Sequence, residues 1–142
     1  MNNAICIKFV AEYEPLIRHI RHSVFTLEQK VDSTLDFDGL DSFATHALIY
    51  DSETPVATGR LLDDGHIGRV AVLSSHRGLG YGKQVISALE RYAVENHYPR
   101  LYLGAQLHAE SFYAQLGFSC FGEQYTEANI EHISMQKQLL AG

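Results

Sequence analysis

The chain has 142 residues, of which 46% are hydrophobic and 20% charged, a composition typical of a single globular domain that we expect to span residues 1–142. Its net charge of -6 at pH 7 argues against a nucleic-acid partner, which requires clustered lysine and arginine. The sequence shows neither an apolar run of membrane-spanning length nor a signal peptide, so we expect a cytoplasmic protein without membrane contact. Cys6 and Cys120 lie far apart, and no metal site is predicted.

The first half of the chain predicts a strand, a helix and three further strands: residues 4–10, 13–29, 45–51, 55–64 and 66–74. An acidic segment that contains Gly39 interrupts the helical pattern between the first helix and the second strand. Gly68 lies inside the fourth predicted strand, where a glycine indicates a bulge or a close backbone approach.

The second half predicts a helix from Gly80 to about Asn96, a strand at 100–105, a short helix that ends at Gly117 and a last strand at 131–139. With one more short strand before the last, the order is β-α-β-β-β-α-β-α-β-β. This order favours an α+β domain built on a mixed sheet.

The segment RGLGYG, residues 77–82, contains three glycines directly before the second helix. It does not fit the dinucleotide motif G-x-G-x-x-G, because the third glycine position falls on Lys83 or Val85. It does not fit a Walker A loop either, because Arg77 occupies the first glycine position and Gln84 the Ser/Thr position. Unpaired N–H groups at a helix start, with an arginine nearby, are suited to binding an anion. A simple strand-to-helix turn is the alternative.

Arg77 to Gly82 match R-x-x-G-x-G and resemble the coenzyme A pyrophosphate loop of the GNAT superfamily of N-acetyltransferases. About 30 residues later, AESFYAQLGF resembles a second motif of that superfamily, A-x-x-F-Y-x-x-L-G-F. The resemblance implies a mixed, mostly antiparallel sheet of six or seven strands, flanked by helices, with splayed central strands. The segments VFTLEQKV and EHISMQK point to a small bacterial branch that resembles ElaA-like proteins and glyphosate N-acetyltransferase.

The resemblance also implies acetyl-CoA as the cosubstrate and an acyltransferase activity on a small-molecule or peptide amine. The residues expected at the cofactor are Val70, Ala71, Val72, Arg77, Gly78, Leu79, Gly80, Tyr81, Gly82, Lys83 and Gln106. The strand at 70–72 is expected to offer main-chain N–H groups to the acetyl carbonyl and the pantetheine arm. Gln106 lies seven residues before Tyr113, where many relatives carry an asparagine.

Three residues are candidates for catalysis. Tyr113 matches the family tyrosine that lies near the thioester sulfur and donates to the departing thiolate, although it also fits a core position. His132 lies in EHISM, which resembles the segment that holds the base of glyphosate N-acetyltransferase, and histidine suits proton removal at neutral pH. Glu28 is the other candidate base, and its alternative is a solvated charge at a helix end.

The sequence leaves the acceptor open. Most acidic loops are simply solvated, but such a loop is also suited to attracting a cationic amine. Arginines near it are suited to binding a substrate carboxylate instead. The acidic residues are Asp32, Asp36, Asp38 and Asp41, and the arginines are Arg18, Arg21 and Arg60. An acyl-CoA sensor without turnover is the alternative function, and the family fold makes a homodimer plausible.

Overall fold

The computed structural model describes residues 4–30 and 38–139, which form one α+β domain around a single sheet. The eight strands are β1 Ala4–Lys8, β2 Thr45–Asp51, β3 Thr54–Leu61, β4 His66–Val72, β5 Arg100–Gln106, β6 Ser119–Cys120, β7 Tyr125–Glu127 and β8 Ile130–Gln138. The helices are α1 Glu14–Arg21, α2 Tyr81–Glu95 and α3 Glu110–Gln115, and α1 continues as a π-helical segment, His22–Glu28. Within the described part of the chain, no helix has both the length and the apolar character needed to cross a membrane.

The strand order is β1-β2-β3-β4-β5-β8-β6, and β7 also pairs with β8. All neighbouring strands are antiparallel except β4 and β5, which are parallel. The predicted mixed, mostly antiparallel sheet is therefore confirmed. Before β8 the sequence predicted one short strand, whereas the structure has β6 and β7. Strands of two and three residues are too short for alternation to reveal them.

The two central strands separate soon after they begin to pair. β4 and β5 pair only at His66 with Tyr102 and at Ile67 with Leu103. Beyond that point, the main-chain groups of β4 that face β5 have no strand partner. The predicted splay of the central strands is confirmed by this short register.

A bulge in β4 lies immediately after the last paired residues. Pairing with β3 runs from Thr58–Ala71 to Arg60–Gly68, so that Arg69 and Val70 together oppose the single residue between them on β3. Arg69 has a φ of 53°, in the left-handed region that residues with a side chain rarely adopt. The bulge bends β4 where it leaves β5, and it confirms the irregularity predicted next to Gly68.

The sheet carries an apolar layer on each face. Val85, Ile86 and Leu89 of α2 pack on one face, in a cluster that includes Ala47 and Ile49 of β2. On the other face, three residues of α1 and its π-helical continuation pack against the alternate strand residues Leu48 and Ala71: Ile17, Ile20 and Val24. The two layers hold α1 and α2 on opposite sides of β4.

An ionic cluster, formed by the buried Arg21, Arg60 and Asp41 and the more exposed Asp38, ties the acidic loop to this core. The side chains of Arg21 and Arg60 are at most 3% exposed. Nη1 of Arg21 donates to Oδ1 of Asp41 at 2.7 Å, and Nη1 of Arg60 donates to Oδ1 of Asp38 at 2.8 Å. His46 donates from Nε2 to the carbonyl of Asp41 at 3.0 Å, and burial lowers the pKa of its ring.

This cluster gives four of the charged residues that were considered for the acceptor a role within the fold. Arg21 and Arg60 are buried and neutralised, so neither can bind a substrate carboxylate from solution. Asp38 and Asp41 neutralise those arginines instead of steering a cation. Arg18 pairs with Glu14 at 2.9 Å on the surface of α1. Asp32 and Asp36 lie outside the described residues.

The cluster predicts a specific loss of stability in acid. Partial burial alone would raise the pKa of Asp38, but hydrogen bonds from Arg60 and the Leu40 N–H, with the charges of Arg60 and Arg69, lower it to about 2. Because the folded-state pKa is depressed, the stabilising contribution is complete above about pH 4 and is lost as the pH falls towards 2. Because Asp38 is exposed on one side and solvent screens its charge, we expect only about 1 kcal/mol of the unfolding free energy to depend on this titration.

Urea unfolding between pH 2 and pH 7 measures this contribution. Asp38→Asn should be less stable than the wild-type protein at pH 7 and should lose less stability between pH 4 and pH 2. Asp63→Asn, a matched change at an exposed carboxylate, should keep the wild-type profile. Parallel profiles for Asp38→Asn and the wild-type protein would contradict the assignment.

Candidate active site

The loop after β4 forms an open glycine cradle, defined here as residues 77–82. Gly78 and Gly80 have φ values of 75° and 90°, which glycine adopts without the strain that a side chain would add. A Cβ built on either residue would meet no atom within 4 Å. The backbone of the cradle is therefore exposed to an incoming ligand at both positions.

The first turn of α2 completes the cradle. Gly80 is the N-cap, and no side chain caps the helix. The N–H groups of the first turn have no intrahelical acceptor, and the positive end of the helix dipole lies behind them. This arrangement is suited to a phosphate-bearing ligand, and the backbone at Gly78 and Gly80 is open to its approach.

Gly82 brings the second motif against the first. A Cβ on Gly82 would lie 3.4 Å from Cζ of Phe112 on α3 and 4.0 Å from Cγ2 of Val72 at the end of β4. Phe112 is partly exposed, and Leu79 in the cradle is 65% exposed. The cradle, the end of β4 and the start of α3 therefore meet, with apolar side chains open to solvent beside the backbone donors.

Arg77 is directed away from the open side of the cradle. Its Nε and Nη2 donate to the carbonyl of Val72 at 3.0 and 2.9 Å. Nη2 also donates to Oε1 of Glu28 at 2.6 Å, and Nη1 donates to Oε2 of the same carboxylate. The hydrogen bond from Arg77 lowers the pKa of Glu28, and the same bond raises the pKa of Arg77. Two residues predicted for separate roles thus form one bidentate ion pair.

Gln106 ends β5 on the far side of the splay. In the sheet it lies opposite His132 of β8, so their side chains share a face. Its Nε2 donates to Oε1 of Gln29 at 3.4 Å. Gln29, which the sequence did not single out, follows Glu28 directly.

His132 is held in a defined orientation on β8. Its Nδ1 donates to the carbonyl of Ile130 at 2.7 Å. Because a carbonyl only accepts, the proton of the neutral ring lies on Nδ1, and Nε2 keeps a lone pair. The ring stacks on Tyr125 with a centroid separation of 5.5 Å and an interplanar angle of 17°.

Tyr125 is a neighbour of His132 that the sequence did not identify. A Cβ on Gly104 of β5 would lie 1.9 Å from the Tyr125 hydroxyl, so only glycine leaves space for this ring. A glycine in the interior of a predicted strand was the one available signal, because it often marks a close approach.

Tyr113 lies in the core at the middle of α3. It packs edge-on against Phe112 and Phe118, with ring centroids 5.0 and 5.9 Å apart. Burial raises its pKa to about 12. The hydroxyl is therefore protonated throughout the neutral range, and the buried ring also fits the core position that was the alternative role of Tyr113.

The chain is similar to known acetyltransferases in sequence and in structure. A family model described as an acetyltransferase (GNAT) domain matches residues 25–139. The Bacillus subtilis protein named uncharacterized N-acetyltransferase YjcF is 35% identical over 123 residues, which are 84% of this chain and 88% of YjcF. Escherichia coli ElaA has a TM-score of 0.85 at 30% identity, covering 95% of this chain and 99% of that structure. An acyl-CoA N-acyltransferase from Pseudomonas aeruginosa has a TM-score of 0.85 at 29% identity, covering 96% and 99%.

A substitution in the cradle tests its predicted role. Gly80→Val places a β-branched side chain at a φ of 90° and fills the space in front of the first turn of α2. We expect acetyl-CoA affinity, measured by titration calorimetry, to fall at least about tenfold in folded protein, because the phosphate loses its approach to the backbone.

Gly122→Val is the matched control, since Gly122 has a φ of 74° and equally open surroundings outside the cradle. Both variants should lose a similar amount of stability in urea. Equal acetyl-CoA affinities for the two variants would show that the glycines of the cradle serve only the turn.

Proposed function

The chain belongs to the GNAT acetyltransferase family, and on that premise we propose that it transfers the acetyl group of acetyl-CoA to an amine of a small molecule or peptide. The observation that supports this most directly is the open glycine cradle at the start of α2, beside a β4 edge that lacks a strand partner. Acetyl-CoA supplies an acetyl group activated as a thioester and a thiolate leaving group.

In this proposal, backbone N–H groups perform most of the binding. Those of residues 78–83 hold the pyrophosphate, because no side chain caps the helix and the N–H groups of the first turn of α2 lie at the positive end of its dipole. Along residues 70–72 the N–H groups alternate in direction, and those that face the splay serve the acetyl carbonyl, whose oxygen gains negative charge during amine attack. Gln106 lies at the opposite side of the same gap.

Tyr113 acts as a hydrogen-bond donor to the developing thiolate. Its pKa of about 12 exceeds the usual thiol value of about 8.5, so complete proton transfer to sulfur is unfavourable. A hydrogen bond that strengthens as charge builds on sulfur needs no such transfer. This role requires a protonated hydroxyl, which the buried position of Tyr113 provides.

His132 is the proposed base. The bond from Nδ1 to Ile130 leaves Nε2 to take the proton that the attacking amine must release. Glu28 is a weaker candidate, because its carboxylate is paired with Arg77 and its pKa is lowered by that bond. The acceptor class extends to aminophosphonates, given the resemblance of EHISM to glyphosate N-acetyltransferase.

Thiol release from acetyl-CoA tests the activity. Amino acids, polyamines, aminophosphonates and peptide N-termini form the acceptor panel, and at least one class should release thiol well above the acceptor-free rate. Tight acetyl-CoA binding without thiol release from any acceptor would favour the sensor function instead.

For a verified acceptor, Tyr113→Phe should lower kcat about 100-fold, because it removes one donor from the transition state. Acetyl-CoA affinity should stay nearly unchanged, because the ring still packs between Phe112 and Phe118. Tyr92→Phe is the matched control, since Tyr92 lies towards the far end of α2 and packs against Tyr98. Comparable kcat values for the two variants would remove Tyr113 from the mechanism.

His132→Ala should lower kcat about 100-fold with the same acceptor, because Nε2 no longer takes the proton of the amine. The loss should shrink as the pH rises and more of the amine is neutral in solution. His19→Ala, at an exposed position of α1, is the control and should keep the wild-type pH profile. A uniform loss at every pH would argue for a structural role of His132.

A further inference from the structure

The end of the π-helical segment lies across the mouth of the splay. Glu28 contacts Arg77, which follows β4, whereas the next residue, Gln29, accepts a hydrogen bond from Gln106 at the end of β5. Two consecutive residues therefore contact the loop that follows β4 and the end of β5, the two strands that diverge after Ile67 and Leu103. Of the catalytic candidates, only Glu28 has this position.

Helical geometry explains how two neighbours reach opposite sides of the gap. Consecutive side chains on a helix differ in direction by about 100°. The π-helical turn sets their final direction, since the N–H of Gln29 bonds to the carbonyl of Val24 at 3.0 Å, five residues earlier. Such turns are rare and occur often at functional sites.

Arg77 connects this segment to β4. Each of its three guanidinium nitrogens donates to the Val72 carbonyl or to the Glu28 carboxylate. Val72 is the last residue of β4, and the cradle begins at Arg77 itself. A guanidinium held in this way fixes the exit of β4 relative to the cradle and to the helical segment.

We infer that Glu28 is a positioning residue that acts through Arg77, so that the ion pair orders the end of β4 and the cradle for acetyl-CoA. This inference rests on the proposed function. Arg77 then serves as an anchor within the protein, and the backbone of residues 78–83 is the phosphate ligand. Glu28 contributes to cofactor binding without taking the proton of the amine.

The size of the effect follows from exposure. The side chains of Glu28 and Arg77 are each 41% exposed, so solvent screens their attraction. The two parallel hydrogen bonds nevertheless fix the orientation of the carboxylate relative to the guanidinium group. We expect the loss of the pair to weaken acetyl-CoA binding by about fivefold.

Titration calorimetry measures the acetyl-CoA affinity of Glu28→Gln without acceptor. The competing roles of Glu28 predict different changes in this affinity. Weaker binding supports the positioning role. Tighter binding would mean that Glu28 competes with the phosphate for Arg77, and unchanged binding with a lower kcat would mean that Glu28 is the base. Either result overturns the inference. Glu14→Gln, which breaks the ion pair with Arg18 on the same helix, is the matched control and should bind as the wild-type protein does.

A double-mutant cycle with Arg77→Lys completes the test. Lysine keeps the charge but loses the two-pronged geometry that joins Glu28 to Val72. If the residues act as a unit, the double variant should bind no more weakly than the worse single variant. Additive losses would show independent roles and overturn the inference.

Hydrogen exchange of the ligand-free protein separates this inference from the proposed function. In Glu28→Gln, the backbone amides of residues 25–29 and 73–77 should exchange faster than in the wild-type protein, and wild-type protection there would overturn the inference. Absence of thiol release from every acceptor would overturn the proposed function alone, because neither exchange nor calorimetry depends on turnover.

Discussion

The site depends on one geometric constraint, the early separation of the parallel strands β4 and β5. They share only two residue pairs before the bulge at Arg69 and Val70 bends β4 away. In a sheet, the main-chain N–H and C=O groups of each strand normally form hydrogen bonds with its neighbours. A ligand can bind these groups only where neighbouring strands separate. The separation creates that gap in the middle of the sheet, where a layer on each face keeps the strands rigid.

Three elements converge on the gap for separate physical reasons. The start of α2 lies there because Gly78 and Gly80 permit the left-handed turn that links it to β4. The start of α3 packs close because Gly82 has no side chain to keep Phe112 away. The end of the π-helical segment contacts this region through the ion pair of Glu28 with Arg77. The conformational freedom of glycine thus positions α2, close packing positions α3, and an ion pair links the π-helical segment to the same region.

The acidic loop shows how burial changes the meaning of a charged residue. As sequence, Asp38 and Asp41 are as compatible with steering a cation as with simple solvation. In the structure they neutralise Arg60 and Arg21 beneath α1, because two buried guanidinium groups require opposite charges within hydrogen-bond distance. These two carboxylates therefore stabilise the fold.

Local sequence determined the parts whose physics is local. The helices around Ile17 and Val85, the strands at 45–51 and 66–72 and the glycine cradle follow from periodicity and backbone freedom within a few residues, and the two motifs identify the family. Tertiary structure alone decided which charges meet and which rings stack. The contacts of Glu28 with Arg77, of Asp41 with Arg21 and of Tyr125 with Gly104 join distant segments, and no local pattern encodes such a distance. The sequence is compatible with several roles for each of these side chains, because only the folded structure determines which groups lie next to them.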